Sequence, residues 1–184
     1  LQARGDVRIV APYPPYLIDS NAFIESKNRY YAFDICPGFW DFMVDDFNAE
    51  RSLSIRHVYD ELVVGGDDLS DWVKGNLERS SFKDSLGDAE VVKAYMKVAE
   101  YVRGDYKPNV ASDFLAETVA DPWLVAYAMA HGGCVVTQEA PKPSKKKASL
   151  VDVCDHFDVH HVNVIEFLRS EQARFVYSKN KAQS

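Results

Sequence analysis

At 184 residues, with 47% apolar and 27% charged side chains, the chain has the composition of one compact soluble domain able to bury roughly 70% of its unfolded surface. Ten Phe, ten Tyr and three Trp supply a large-side-chain core and argue against disorder, and no apolar stretch approaches the roughly 20 residues a transmembrane helix needs. A formal charge of −7 argues against broad electrostatic binding of nucleic acid, but not against a nuclease, because carboxylates gathered around a divalent cation inflate the negative count.

The chain opens on Leu1 rather than Met, as a processed or trimmed polypeptide would, and Arg4, Asp6 and Arg8 stand where a leader would carry apolar residues. Residues 1–15, with Pro12, Pro14 and Pro15, read as a tail, 16–170 as a single domain, and 171–184 as a second, frayed tail. Tyr16 to Asp19 is a short apolar run suited to a buried parallel strand at the centre of a sheet, with Ser20 and Asn21 placed to cap the helix that follows. Pro37 opens a helix through Phe47 that buries Phe39, Trp40, Phe42, Met43 and Phe47. Ser54 to Val64 reads as another, with Ile55, Val58 and Leu62 on one face and Gly65-Gly66 as its stop.

Further along, Ser70 is placed to cap a short helix carrying Trp72 and Val73, and Val91, Tyr95, Val98 and Val102 keep helical spacing up to Gly104. Asp121 to His131 is apolar on all sides, which predicts a buried helix ending at Gly132-Gly133, and Cys134 to Thr137 returns as a strand. Helix followed by strand is the order that builds a parallel sheet. The stretch around Lys142, Lys145, Lys146 and Lys147 reads as a solvated Pro/Ser/Lys loop in preference to a phosphate-binding one. Asn163 and Glu166 form a capping box for a helix carrying Ile165, Phe167 and Leu168.

Cys36, Cys134 and Cys154 are far apart, odd in number and set among apolar neighbours, so they read as buried thiols of a reducing cytoplasm. The five histidines lack zinc spacing; even His156 and His160 have no second ligand pair beside them.

Four acids sit at the ends of apolar runs: Asp19, Glu61, Asp121 and Glu139. Each alone has a simpler reading. Asp121 before Pro122 suits a helix N-cap, Asp19 could cap the next helix, Glu61 suits the wet side of an amphipathic helix, and Glu139 could end an edge strand. Together they suggest a metal site, because strand ends fix carboxylates beside an open crevice. Two such charges within about 4 Å repel by roughly 4 kcal/mol at an effective dielectric of 20, so ionising several together requires a cation. Oxygen ligands without His or Cys favour Mg²⁺ or Mn²⁺.

The ordered pieces Leu17-Ile18-Asp19-Ser20-Asn21, a mid-chain helical acid, Asp121-Pro122-Trp123-Leu124-Val125-Ala126-Tyr127-Ala128 and Val136-Thr137-Gln138-Glu139 resemble the PIN-domain nucleases. Arg29 to Trp40 and Val151-Asp152-Val153-Cys154 are further similar to small bacterial PIN-like proteins, many of them toxins of type II toxin-antitoxin pairs. The resemblance, over roughly Tyr16 to Leu168, implies a three-layer α/β/α PIN-like domain with a central, mostly parallel sheet. It implies a cytoplasmic, Mg²⁺- or Mn²⁺-dependent endoribonuclease acting on RNA, with an antitoxin partner, a homodimer by analogy, and no membrane association. Carried over, Asp19, Glu61, Asp121 and Glu139 are the catalytic acids, and Asp19, Asp121, Glu139 and Asp152 the metal ligands, with Asp152 in reserve. Asn21 and Thr137 would orient ligands or water. Glu139 departs from the pattern by one methylene, since most PIN domains carry Asp there. The alternatives are a catalytically weak PIN-like module that binds a protein partner, suggested by the charge of −7 and the Glu139 departure, and a nuclease for DNA or flap structures; the aromatics near Arg29-Tyr30-Tyr31 read as core packing in preference to an anchor for the antitoxin.

Overall fold

A computed structural model describes residues 15–141 and 147–177. Residues 1–14 and 178–184 of the expected tails at 1–15 and 171–184, and the lysines Lys142, Lys145 and Lys146, lie outside the described residues. The chain is an α/β domain of three layers. Its sheet contains β1 (Tyr16–Ile18), β2 (Ser52–Ile55), β3 (Phe82–Lys83), β4 (Cys134–Val136) and β5 (His161–Val162), in the order β3-β2-β1-β4-β5, with every pairing parallel.

β1 lies at the centre because its three residues are all buried, as a strand covered on both faces requires. It pairs Tyr16 with Ser52 on one side and with Cys134 on the other. From β1 the chain runs through α1 (Ser20–Glu25), a π-helical turn at Ser26–Tyr30 and α2 (Pro37–Asn48) to β2, then through α3 (Arg56–Val64) and α4 (Asp68–Asn76) to β3. It returns through α5 (Ala89–Asp105), α6 (Pro108–Phe114) and α7 (Asp121–His131) to β4, then through α8 (Leu150–His156) to β5 and α9 (Val164–Ser170).

With the right-handed crossovers that parallel strands adopt, this strand order puts the helices before β3 on one face and those between β3 and β5 on the other. The aromatic contacts agree. Phe23 of α1 meets Phe47 of α2 and Trp72 of α4 at 6.1 and 6.4 Å, while Tyr95 of α5 stacks on Trp123 of α7 at 3.9 Å and Tyr101 on His156 of α8 at 3.5 Å. Trp40 anchors the first layer against Trp72 at 4.7 Å and donates from its indole to Tyr31 O at 2.6 Å. Each fully buried side chain of this kind contributes about 1.5–3 kcal/mol.

Two expectations need correction. Ser54 and Ile55 belong to strand β2, and helix α3 begins only at Arg56. Serine conceals this strand in the sequence; in the fold Ser54 Oγ donates to Ile18 O at 2.6 Å and so compensates its burial. The short helix α4 is capped by Asp67, whose side chain accepts from Ser70 N–H at 3.0 Å, while Ser70 itself is buried and donates to Val63 O. Strands β3 and β5 have two residues each, too few to produce an alternation.

At the N-terminal edge of the sheet, fully buried Asp46 accepts from Arg51 Nε at 2.7 Å and from Ser52 Oγ, and Arg51 also pairs with Glu171. The chain keeps packing beyond Ser170: Phe175 meets Tyr31, Phe39 and Phe42. Cys134 and Cys154 are buried free thiols and Cys36 is half-buried. Among the described residues, no helix is long and apolar enough to cross a membrane.

Candidate functional site

The sheet order reverses between β1 and β4. β1 feeds α1 on one face and β4 feeds α8 on the other, so their C-terminal ends part and open a crevice. Asp19-Ser20-Asn21 leaves the crevice from β1, and Thr137-Gln138-Glu139 leaves it from β4. Asp19 N–H donates to Val136 O at 3.0 Å and Thr137 N–H to Val162 O at 3.1 Å, so the sheet itself sets both positions.

Asp19 is 1% exposed. Thr137 Oγ1 donates to its Oδ2 at 2.8 Å. Burial pushes the Asp19 carboxyl up to about 7; the Thr137 hydrogen bond opposes the rise, and the negative fields of Glu61 and Glu139 add to it. Asp19 stands at the N-cap position of α1 but does not cap it, and Ser20 and Asn21 are the first helical residues rather than caps. Asn21 Oδ1 is buried and has no hydrogen-bond partner among the described residues.

Glu61, on α3, has both oxygens engaged. Oε2 accepts from Ser20 Oγ at 2.6 Å and Oε1 from Ala120 N–H at 2.9 Å. Ser20 Oγ also lies 3.5 Å from Asp19 Oδ1, but its single proton goes to the nearer carboxylate. Ala120 precedes α7, so Glu61 satisfies an orphan donor at that helix start and holds Asp121 in place. The N-cap reading of Asp121 is thereby corrected: Asp121 is the first helical residue and Pro122 the second.

Glu139 lies in the loop after β4, half-buried, with its Oε2 accepting from Leu150 N–H at 3.0 Å and its own N–H donating to Thr137 Oγ1 at 3.1 Å. Thr137 thus links the two acidic segments with one hydroxyl. Asp152 and Ser149 close the start of α8 on each other: Ser149 Oγ donates to Asp152 Oδ2 at 2.6 Å and accepts from Asp152 N–H at 3.2 Å. Asp121 and Glu139 share the wall of a cleft of about 430 Å³ with Asn109, Asp113, Phe114 and Lys147. Burial pushes the Cys154 thiol up, and the fields of Asp155, Asp121 and Asp19 add to the rise.

A family model described as a domain of unknown function, DUF4411, matches residues 16–175. The chain belongs to the DUF4411 family. No curated protein and no solved structure gives a significant match to it.

The acids of this DUF4411 domain converge electrostatically without forming a closed cage. Among the described residues no three His, Cys, Asp or Glu side chains gather as a ready set of metal ligands. Magnesium does not require one, since it is commonly held by one or two carboxylates together with water and substrate phosphate. A buried Asp19 under the fields of Glu61 and Glu139, with no basic group among the main influences on it, is a hard-oxygen site that a cation would relieve. Oxygen donors of this kind suit a hard cation such as Mg²⁺ or Mn²⁺.

Reading by sequence missed Ser20 as the donor to Glu61, Ser149 as the partner of Asp152, and Asn109 and Asp113 in the cleft wall. Ser149-x-x-Asp152 is a capping-box pattern and was visible; α6 is a single short helix that carries no such mark. The Thr137 hydroxyl yields a direct test. Thr137→Val leaves Asp19 Oδ2 without its donor, so the Asp19 carboxyl rises further and the pH at which Mn²⁺ binds shifts upward by about one unit, with about 1–2 kcal/mol lost in stability. Thr137→Ser keeps the donor and the parental profile. Calorimetric titration of Mn²⁺ between pH 5.5 and 8.5 measures the shift, and identical profiles for all three proteins would remove this role.

Proposed function

We propose that this DUF4411 domain is a PIN-like, Mg²⁺- or Mn²⁺-dependent endoribonuclease, acting in the cytoplasm and held in check by an antitoxin-like protein partner. The observation that carries the reading is Asp19: a buried carboxyl at the switch point of a parallel sheet, raised by burial and by two neighbouring acids. A bound divalent cation would neutralise charge at a scissile phosphate and acidify water. The chain's own residues do the positioning. Thr137 aims Asp19, Glu61 pins the start of α7 so that Asp121 faces the cleft, and Glu139 joins the β4 loop to α8. Asp152 stands as a reserve acid in the first turn of α8, and Asn21 Oδ1, two positions after Asp19, offers an unpaired acceptor.

The test is incubation of a labelled RNA panel with the purified protein in Mg²⁺, Mn²⁺ or EDTA. Cutting that needs the metal is the expected result, and absence of cutting by folded, partner-free protein in either metal would sink the reading. A second reading, a weak or inactive module that binds a protein partner, draws on the oxygens that Glu61, Glu139 and Asp152 already spend on internal hydrogen bonds. It predicts no turnover and no heat of Mn²⁺ binding. A matching panel of single-stranded DNA and flap substrates separates RNA from DNA as the target.

A further inference from the structure

Gln138 and Glu139 are consecutive, yet they line different clefts. Glu139 faces the acidic one already described, while Gln138 lies in the floor of a groove of about 400 Å³ formed with Arg29, Tyr30, Asn163, Ile165 and Arg169. Gln138 Oε1 accepts from Val164 N–H at 3.2 Å, which ties the β4 loop to the start of α9. Two arginines, Arg29 and Arg169, line this groove together with two acids, Glu25 and Glu166. Arg29 pairs through Nε with Glu25 at 2.6 Å, a bond exposed enough to yield to a phosphate, and Arg169 has no ion-pair partner among the described residues. Glu166, the other acid in the groove, already accepts from Asn163 N–H in the capping box. Tyr30, 54% exposed, lines the same groove.

We propose that this groove is the entry track for a single-stranded nucleic acid. Arg29 and Arg169 contact two backbone phosphates, Tyr30 stacks on a base, and the strand crosses the Gln138-Glu139 loop into the acidic cleft. Guanidinium pairs with phosphate and base stacking on Tyr are the two elements by which single strands are held without sequence readout. A single strand is favoured over a protein occupant because paired guanidinium groups and an exposed Tyr suit phosphate and base, and because the Gln138-Glu139 loop lies between this groove and the acid cleft. The inference rests on the nuclease reading for its purpose but is tested without it.

The test is fluorescence anisotropy of one labelled 12-mer, as RNA and as DNA, in EDTA so that nothing is cut, at several salt concentrations. The double variant Arg29→Gln/Arg169→Gln should bind about tenfold or more weakly, and its slope of log affinity against log salt should shrink by about 1.4, at about 0.7 per phosphate on a single strand. Tyr30→Ala should bind about fivefold or more weakly with the slope unchanged. Arg103→Gln, the same substitution at one exposed position of α5 away from the groove, should match the parent. These residues are on the surface, and thermal melting confirms that the variants are folded. Equal loss for RNA and DNA would support a backbone track, and greater loss for RNA a track that also reads the ribose. Parental affinity and slope in the double variant would overturn the groove, whether or not the protein cuts RNA, and leave its Tyr and Arg residues to a protein partner. Weakened binding by a protein that never cuts in any metal would keep the groove and remove the nuclease.

Discussion

Asp19→Asn is expected to abolish metal-dependent RNA cleavage and, in the metal-free protein, to raise the melting temperature at pH 8. The first effect should exceed the roughly 10–100-fold that loss of a partner one shell out from a metal typically costs. The second follows from linkage. The folded chain holds the Asp19 proton up to about 7, whereas the unfolded chain releases it near 3.8. Between those values the folded state binds more protons than the unfolded state, so stability declines as pH rises through that window and stays reduced above it. Asparagine keeps the shape and an acceptor for Thr137 but carries no charge, so the variant lacks the decline and should gain on the order of a few kcal/mol over the parent above pH 7. Below pH 4 the two should coincide. Mn²⁺ should restore stability to the parent alone, and more at pH 8 than at pH 5.5, because the cation competes with the proton. Melting curves across pH, with and without metal, measure both effects. An Asp19→Asn protein that cuts RNA like its parent, or melts with the same pH dependence, would refute this assignment.

Glu61→Ala should be damaging for a different reason. It removes the acceptor of Ala120 N–H and of Ser20 Oγ, leaving a buried donor unpaired at the start of α7, at a cost of about 1–3 kcal/mol. The start of α7 then loses its tie to α3, Asp121 moves, and cleavage should fall by about 100-fold, since small displacements of positioning groups cost that much. Glu61→Gln retains an oxygen for Ala120 N–H and can pair its amide with Ser20, so it should melt within about 1 kcal/mol of the parent. The comparison separates two roles. If Glu61 only positions, Gln keeps most of the activity; if its charge also serves the cation, Gln cleaves as poorly as Ala while remaining stable.

Much of the local structure follows from residue order alone. The all-apolar Tyr16-Leu17-Ile18 has the composition of a strand buried on both faces, Asn163 and Glu166 do form the capping box, and the apolar-all-round segment from Asp121 to His131 is a buried helix. These are short-range decisions in which pattern and final environment agree. Ser52 to Ile55 misleads because its serines look polar, whereas their burial is offset by bonds to Asp46 and to Ile18 O, partners brought in by the fold. The edge strands β3 and β5 have too few residues to leave a pattern of their own.

The acids divide the same way. Their residue type and their places at the ends of apolar runs were legible in the chain. Their partners were not, because Glu61 reaches Ala120 across 59 positions and Thr137 reaches Asp19 across 118. Sequence by itself determined an α/β chain with Asp19, Asp121 and Glu139 near element ends and Glu61 within a helix. Only the tertiary structure decided that β1 and β4 are neighbours, that their ends part there, and that Asp19 is buried under the fields of Glu61 and Glu139, since burial and field depend on which distant segments the sheet order brings together.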